Sequence, residues 1–333
     1  LEDLKSLGVK GIRWDAAKHI GLPSESCNFW SQMASVAGLW HYGEILDTPG
    51  GDKYTLLKEY TNYIGVTDSE YSTWTRQQVE GGNVPTGPGS WTPNGVPADK
   101  VVYWAESHDD YSNDGQYGEN TALVSQDKMD RAYAILACRN NETALYFSRP
   151  AATSRTAIKM GQKGSTHFTT KEVAEVNKFR NAMAGTLDYF SNSNGVACVT
   201  RQGGGAVIVI GAGGSRNVSV ANGGGYVPAG TYKDQVSGNT FTVTATTISG
   251  QVGSTGIAVV YNPDGVIVDP TPTPDPDPTP DPDPTPDGAH YIYYDGTFSA
   301  PQVWAWTDAA NCTASGTWPG DNMTCLLYTS DAA

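Results

Sequence analysis

The sequence predicts an α/β domain built on a parallel sheet, followed by a small antiparallel β domain, an extended linker and an aromatic-rich module. Short apolar strands alternate with helical patterns over residues 1–184, which is typical of a parallel sheet covered by helices. Residues 185–262 are rich in Gly, Ser, Thr and Val in period-two runs between turns, which favours antiparallel strands. Every second residue from Pro270 to Pro286 is proline, which indicates a spacer.

Five strands are predicted in the first domain, and at least two helices lie between or after them. The strands are KGIRWD, GLWHYGEIL, YTNYIGV, KVVYWAESHD and TALYFSRP, and the helices are SQDKMDRAYAILACRNN and TKEVAEVNKFRNAM. In the second domain, AVIVIGAGG, NVSVANGGG and TFTVTATTI are predicted strands. The glycines of RQGGGAVIVIGAGG suit hairpin turns, because a phosphate-binding loop would end in Lys-Ser/Thr and open a helix.

The C-terminal part of the chain combines a linker with a tethered module. Residues 263–287 contain seven aspartates and no Lys or Arg, so this linker repels itself and its proline-rich core extends over roughly 50 Å. Residues 288–324 hold three Trp and three Tyr, which predicts a targeting module. Residues 325–333, CLLYTSDAA, continue no earlier pattern, and we expect them to be sequencing adapter read as protein.

Composition narrows the class of ligand. The net charge of −14 argues against nucleic acid, which requires a basic face, and no apolar run is long enough to span a bilayer. Nine Trp and eighteen Tyr, with sparse charge, suit a neutral ring-shaped ligand such as a sugar. The five cysteines show no metal-ligand spacing and do not settle the redox compartment.

Three carboxylates stand where predicted strands end. Asp15 closes the first strand, Glu44 the second and Asp109 a later one, each beside polar or aromatic residues. Any one of them alone would more often be a helix N-cap or a solvated loop residue. Together they match the need of a retaining glycosidase for a carboxylate nucleophile about 5–5.5 Å from a protonated carboxyl group.

Three motifs in order resemble a known family. GIRWDAAKH, YGEIL and WAESHDDYSND resemble the second, third and fourth sequence motifs of the α-amylase family, glycoside hydrolase family 13, and ALYFSRP and VNKFRNAM resemble its last barrel strand and the helix after it. The resemblance covers about residues 1–262. It implies an incomplete (β/α)8 barrel of about strands 4–8 in residues 1–184, and a β-sandwich domain C in residues 185–262. It also implies that the family's first motif and its inserted calcium-binding domain lie outside this chain.

The same resemblance assigns roles to the three carboxylates. Asp15 would be the nucleophile, Glu44 the general acid/base, and Asp109 the group that stabilises the oxocarbenium-like transition state. Arg13 shares a strand face with Asp15, so its guanidinium is expected to keep that carboxylate ionised. Glu44 must start protonated, and we expect burial near Trp40 and Tyr42 to favour that form.

Further residues acquire binding roles from the resemblance. His108 resembles the histidine that contacts sugar hydroxyls near the cleaved bond, and Lys18 and His19 resemble contacts on the leaving side. The backbone oxygen at the His19 position also binds a structural calcium in the family, and its other ligands would lie outside this chain. The alternative for Lys18 and His19 is that they cap or solvate a helix start. Asp110 stands where relatives often carry Thr, which leaves its substrate contacts open.

The tail resembles starch-binding modules, most closely carbohydrate-binding module family 26. Trp304 and Trp306 are two residues apart, so they share a strand face and can form a platform for glucose rings. Tyr294 and Trp318 are further candidates. Alternatively, two of these four aromatic residues form the core of a small β-sandwich that the chain truncates.

These observations predict part of a secreted, monomeric, endo-acting α-amylase that hydrolyses α-1,4-glucans such as starch with retention and requires Ca²⁺. The alternatives are a transglycosylase or debranching relative, or an inactive starch-binding protein on the same scaffold. Because two edges of a half-barrel would be open, we expect residues 1–324 alone to be poorly soluble and inactive on starch.

Overall fold

The computed structural model describes residues 1–45, 53–89, 91–111, 120–140, 142–263, 302–303 and 321–322. The chain divides into two units: Leu1 with Lys10–Ile267, and Glu2–Val9 with Val268–Ala333. In the second unit, helix α1 spans Glu2–Ser6, and two short strands, Gln302–Val303 and Asp321–Asn322, pair antiparallel. The rest of the predicted linker and binding module lies outside the described residues. No described helix has the length and apolar character needed to cross a bilayer.

A five-stranded parallel sheet forms the first part of the larger unit, with its strands in sequence order. Its members are β1 (Gly11–Trp14), β2 (Trp40–Gly43), β3 (Gly65–Thr67), β4 (Val101–Trp104) and β5 (Thr143–Leu145). Four of them lie within strands that the sequence predicts, and β3 overlaps the predicted strand YTNYIGV but extends one residue beyond it, to Thr67. Because they run parallel, their carboxyl ends meet along one edge of the sheet, where Asp15 follows β1 and Glu44 follows β2.

Helices connect the strands and bury their apolar faces. They are α2 (Phe29–Ala34), α3 (Lys53–Tyr60), α4 (Ser69–Glu80), α5 (His108–Tyr111), α6 (Gln126–Ala137) and α7 (Lys171–Ala182). Asp68 is the N-cap of helix α4 and directly precedes it. The Asp68 side chain accepts a hydrogen bond from the Tyr71 amide at 2.9 Å. The two helices that the sequence predicts are α6 and α7.

The second part of the larger unit consists of two antiparallel four-stranded sheets. One has the order β13-β8-β7-β6 and the other β10-β11-β12-β9. Their strands are β6 (Asp188–Ser193), β7 (Val196–Arg201), β8 (Gly205–Ile210), β9 (Arg216–Ala221), β10 (Gly230–Lys233), β11 (Thr240–Val243), β12 (Thr247–Val252) and β13 (Ile257–Val260). Strands β7 and β8 form a hairpin across the glycines at 203–204, so the prediction of a hairpin turn is confirmed for the first glycine run of RQGGGAVIVIGAGG. It is wrong for the second run, residues 211–214, which leads from β8 to β9 in the other sheet.

The sheet that contains β7 and β8 is buried on both faces. Val207 points into a core shared with the helices, whereas its neighbour Ile208 points into the core between the two antiparallel sheets. Alternation along a strand produces this division, and each fully buried aliphatic side chain contributes about 1.5–3 kcal/mol. Helix α6 contacts β8 and helix α7 contacts β13. The parallel and antiparallel parts therefore share a core.

One buried arginine joins these two parts. Arg201, at the end of β7, is 1% exposed and donates hydrogen bonds to four backbone carbonyls. The acceptors are Cys138 and Arg139 after α6, and Met183 and Thr186 after α7, at 2.7–3.0 Å. Carbonyls at helix C-termini lack partners within the helix, so a guanidinium there satisfies them and interacts favourably with the helix dipoles.

Candidate active site

Arg13 bridges the two carboxylates that follow β1 and β2. Its Nη1 donates to Asp15 Oδ1 at 2.6 Å, and its Nη2 lies 3.2 Å from Glu44 Oε2. Arg13 pairs with Tyr42 in the parallel register of β1 and β2, which brings the ends of the two strands side by side. The structure thus places three residues that the sequence selected in one contiguous charged group.

Asp15 is open to solvent and held in its ionised form. Its side chain is 78% exposed. The hydrogen bond and the charge of Arg13 hold the pKa of Asp15 below its ordinary value, and the Glu44 carboxyl group and His108 act in the same direction. An accessible and ionised carboxylate is the state that a nucleophile requires.

Glu44 also accepts a hydrogen bond from a strained backbone position. The Ala16 amide donates to Glu44 Oε2 at 3.0 Å, and Ala16 is in the left-handed region at φ 46° and ψ 37°. Such a conformation is costly for a residue other than glycine, so the surrounding contacts must hold it. Gly43 makes room for this turn, because a Cβ there would lie 2.7 Å from the Ala17 Cβ.

The environment of Glu44 agrees with the expected one only in part. We expected burial near Trp40 and Tyr42, but Trp40 is 45% exposed, and its ring contacts that of Tyr42 at a tilt of 31° with centroids 4.9 Å apart. Glu44 itself is 14% exposed and has Arg13 and a backbone amide as its partners. Burial and the negative charge of Glu44 raise the pKa of Tyr42, whereas Arg13 opposes this shift. The polar contacts arise because Arg13 reaches across to the neighbouring strand.

Asp109 and His108 follow β4 and extend the group across the sheet edge. His108 Nε2 lies 3.3 Å from Asp109 Oδ2, and the two side chains are 60% and 66% exposed. The charge of His108 also acts on Asp15, although β2 and β3 separate their strands in the sheet order. His108, which the sequence selected after β4, is therefore linked electrostatically to Asp15 after β1.

The neighbouring Asp110 has a structural role. Its Oδ2 accepts hydrogen bonds from the Ser107 amide at 3.0 Å and from Trp104 Nε1 at 3.2 Å, and it lies 3.3 Å from Arg76 Nη1. The Asp110 amide in turn donates to Ser107 Oγ at 3.2 Å, so the two residues form a reciprocal cap at the start of α5. The sequence SHDD carries this signal, which the search for catalytic carboxylates missed.

A buried ion pair lies directly before Ser107. Arg149, which follows β5, donates to both oxygens of Glu106 at 2.8 Å, and these side chains are 12% and 3% exposed. Arg149 also donates to the carbonyls of Val124 and Thr121 at 2.8 and 3.0 Å. The pair joins segments 43 residues apart in sequence, so no local pattern predicts it.

Lys18 and His19 lie in a short 3-10 helix, Ala17–His19, directly after the strained Ala16. The Lys18 carbonyl is 3.5 Å from the Tyr60 hydroxyl, and His19 is exposed. Calcium takes 6–8 oxygen ligands, and among the described residues the one metal-ligand cluster does not include His19. That cluster consists of side-chain ligands and does not test the backbone oxygen of His19, so the calcium requirement stays a prediction.

The four aromatic candidates of the predicted starch-binding module, Tyr294, Trp304, Trp306 and Trp318, lie outside the described residues. Their roles stay predictions.

The known proteins whose sequences match this chain are named α-amylases. An α-amylase of Butyrivibrio fibrisolvens is 30% identical over 309 residues, covering 78% of this chain and 30% of that protein. An α-amylase of Clostridium acetobutylicum is 27% identical over 268 residues, covering 77% of this chain and 33% of that protein. The chain thus spans about a third of the length of these curated relatives. No protein-family model matches the chain.

Solved structures agree at the level of the fold. A mutant of α-amylase I from Eisenia fetida, in complex with maltohexaose, aligns with a TM-score of 0.55 and 15% identity over 78% of this chain and 62% of its own. An α-amylase from Malbranchea cinnamomea aligns with a TM-score of 0.53 and 16% identity over 79% of this chain and 58% of its own. The described residues therefore have, in part, the α-amylase fold: five parallel strands followed by an antiparallel β domain.

Proposed function

We propose that this chain carries the catalytic carboxylates of a retaining glycoside hydrolase of family 13, which cleaves α-1,4-glucosidic bonds in starch and related α-glucans. The Arg13 bridge between Asp15 and Glu44 carries this proposal, because it sets two carboxyl groups side by side where adjacent strands end. The α-amylase relatives and the α-amylase fold support it.

In the proposed reaction, Asp15 attacks the anomeric carbon while Glu44 donates a proton to the leaving glycosidic oxygen. The bond from the anomeric carbon to that oxygen breaks as the bond to Asp15 forms. Glu44, now ionised, then accepts a proton from the water that releases the sugar, and Asp15 departs as a carboxylate. Arg13 keeps Asp15 ionised throughout, which is consistent with the lowered pKa of Asp15.

The remaining residues at the edge are assigned to the bound sugar. Asp109 stabilises the positive charge that develops in the ring, and His108 binds hydroxyls beside the cleaved bond. Lys18 and His19 contact the leaving side. Both His108 and Asp109 are exposed, as groups that meet a ligand from solvent must be.

The proposal also includes the C-terminal starch-binding module, the localisation, the oligomeric state and the metal requirement. Trp304 and Trp306, with Tyr294 and Trp318, are proposed to bind starch in a module of carbohydrate-binding module family 26. Secretion, a monomeric state and a Ca²⁺ requirement that involves the His19 carbonyl are proposed with them.

Hydrolysis of soluble starch by the natural full-length protein tests the function. Reducing ends should appear, and proton NMR of the first products should show the α-anomer, which denotes retention. Products longer than the donor would indicate transglycosylation instead, and starch binding without reducing ends would indicate an inactive binding protein.

Asp99→Asn is the matched control for this experiment. Asp99 is also exposed, but it stands at the amino end of β4, away from Asp109 at the carboxyl end. Wild-type turnover in Asp99→Asn, with loss in Asp109→Asn, is the expected pattern. Equal turnover in the two variants would contradict the proposed site.

A further inference from the structure

Three potential metal ligands meet between α6, the 3-10 helix His167–Thr169 and α7. Asp130 lies on α6, His167 begins the 3-10 helix His167–Thr169, and Glu172 lies in the first turn of α7. One ligand atom from each lies within 4.8 Å of the other two. None of the three belongs to the proposed catalytic group.

Asp130 is fixed in position and leaves one oxygen for the cluster. The residue is 2% exposed, and its Oδ1 accepts hydrogen bonds from the Tyr146 hydroxyl at 2.9 Å and from Gln126 Nε2 at 3.1 Å. Its Oδ2 lies 2.6 Å from His167 Nε2. Outer-shell donors of this kind orient metal-binding carboxylates.

The charge of the cluster is unbalanced. No ion pair within the described part of the chain includes Glu172, whereas Glu175 on the same helix pairs with Lys178 at 3.0 Å. Two carboxylates against one imidazole leave net negative charge in either protonation state of His167.

We propose that Asp130, His167 and Glu172 bind a divalent transition metal, with Zn²⁺ the best fit. One imidazole nitrogen and two carboxylate oxygens form a ligand set that suits Zn²⁺, and the hard cations Ca²⁺ and Mg²⁺ prefer oxygen ligands alone. The metal takes the place of the proton between His167 Nε2 and Asp130 Oδ2, which requires a separation larger than the present 2.6 Å. His167 is 31% exposed, so an ion has access from solvent.

Zinc affinity of matched variants tests the site. The full chain, prepared without a polyhistidine tag, competes for Zn²⁺ against a chromogenic chelator. His167→Gln and Glu172→Gln should each weaken binding at least about tenfold, and Tyr146→Phe, which removes a hydrogen bond to Asp130, by about 10–100-fold. Glu175→Gln is the control and should bind as the wild type does. Zn²⁺ held elsewhere, for instance at exposed His108, would not respond to these changes.

Cobalt substitution supplies a spectroscopic readout that a purely structural role would not change. Co²⁺ bound by wild type and Glu175→Gln should give visible absorption bands of a low-symmetry site, and these bands should be missing in His167→Gln and Glu172→Gln. Zn²⁺ should also raise the unfolding temperature of wild type more than that of either ligand variant. Equal Zn²⁺ affinity in all variants, or no binding in any of them, would overturn the proposal.

Discussion

Two arginine–carboxylate groups occupy the same edge of the parallel sheet, and they differ in exposure. Arg13 lies between Asp15, which is 78% exposed, and Glu44 after β1 and β2. Arg149, which follows β5, forms an ion pair with Glu106, which follows β4, and the Glu106 side chain is 3% exposed. In the first group Asp15 faces solvent and Glu44 is 14% exposed, whereas Arg149 in the second group uses its donors on Glu106 and two backbone carbonyls.

This difference in exposure indicates different roles for the two groups: the exposed one can bind a ligand, and the buried one stabilises the fold. A buried, fully hydrogen-bonded pair holds the segments it joins in a fixed arrangement, and removal of one partner leaves an uncompensated charge. An exposed pair contributes little to stability but can meet a ligand. Mutations in the two groups are therefore expected to have different effects. Changes in the exposed group should lower activity, and changes in the buried pair should lower stability.

The largest effect is expected from the open group. In the natural full-length protein, Glu44→Gln and Asp15→Asn should each lower kcat on starch by at least about 10²-fold, because no neighbour can replace a proton donor or a nucleophile. Unfolding curves should remain close to wild type. Reducing-sugar release measures the effect, and a variant that keeps a tenth of wild-type kcat would refute the assignment.

The second effect concerns stability. Arg149→Met should lower the free energy of unfolding by about 3–5 kcal/mol, because Glu106 would remain buried without its partner. The same substitution at the more exposed group, Arg13→Met, should cost less, because Arg13 and Asp15 are 33% and 78% exposed and Glu44 keeps the Ala16 amide as a partner. Urea denaturation compares the two variants, and a larger loss in Arg13→Met would invert the proposed division of roles.

The third effect is a shift in the pH dependence of activity. Arg13 lowers the pKa of Asp15, so Asp15 stays ionised to lower pH than an ordinary aspartate. Removal of this charge in Arg13→Gln raises the pKa of Asp15, and the acid limb of kcat/KM against pH should move to higher pH. An unchanged acid limb in Arg13→Gln would show that Arg13 does not control the ionisation of Asp15.

The smallest effect tests the strained turn beside Glu44. Ala16→Gly should raise the free energy of unfolding by up to about 1 kcal/mol, because glycine adopts φ 46° without a steric penalty. Ala174→Gly, within α7, is the control and should lower it by about 1 kcal/mol. A loss of stability in Ala16→Gly, measured by the same urea denaturation, would argue against strain at this position.

Features that depend on residues close together in the chain could be predicted from the sequence. Each parallel strand is an apolar run that ends in charge, so the five strands and the meeting of Asp15 with Glu44 could be predicted. The Arg149 pair with Glu106 and the His167 contact to Asp130 join segments 43 and 37 residues apart, and only tertiary packing determines such contacts. The left-handed turn at Ala16 could not be predicted either, since alanine gives no signal for it.

Identification of the residue that bonds to the sugar tests the central claim most directly. The natural full-length protein carrying Glu44→Gln is incubated with a fluoride-activated maltosyl donor, which needs no proton for its departure, so the covalent intermediate should accumulate. Trypsin cleaves after Arg13 and Lys18, and mass spectrometry should find the added maltosyl group on Asp15 within that peptide. A maltosyl group on Asp109, or turnover of the donor with no labelled protein, would contradict the assignment of Asp15 as the nucleophile.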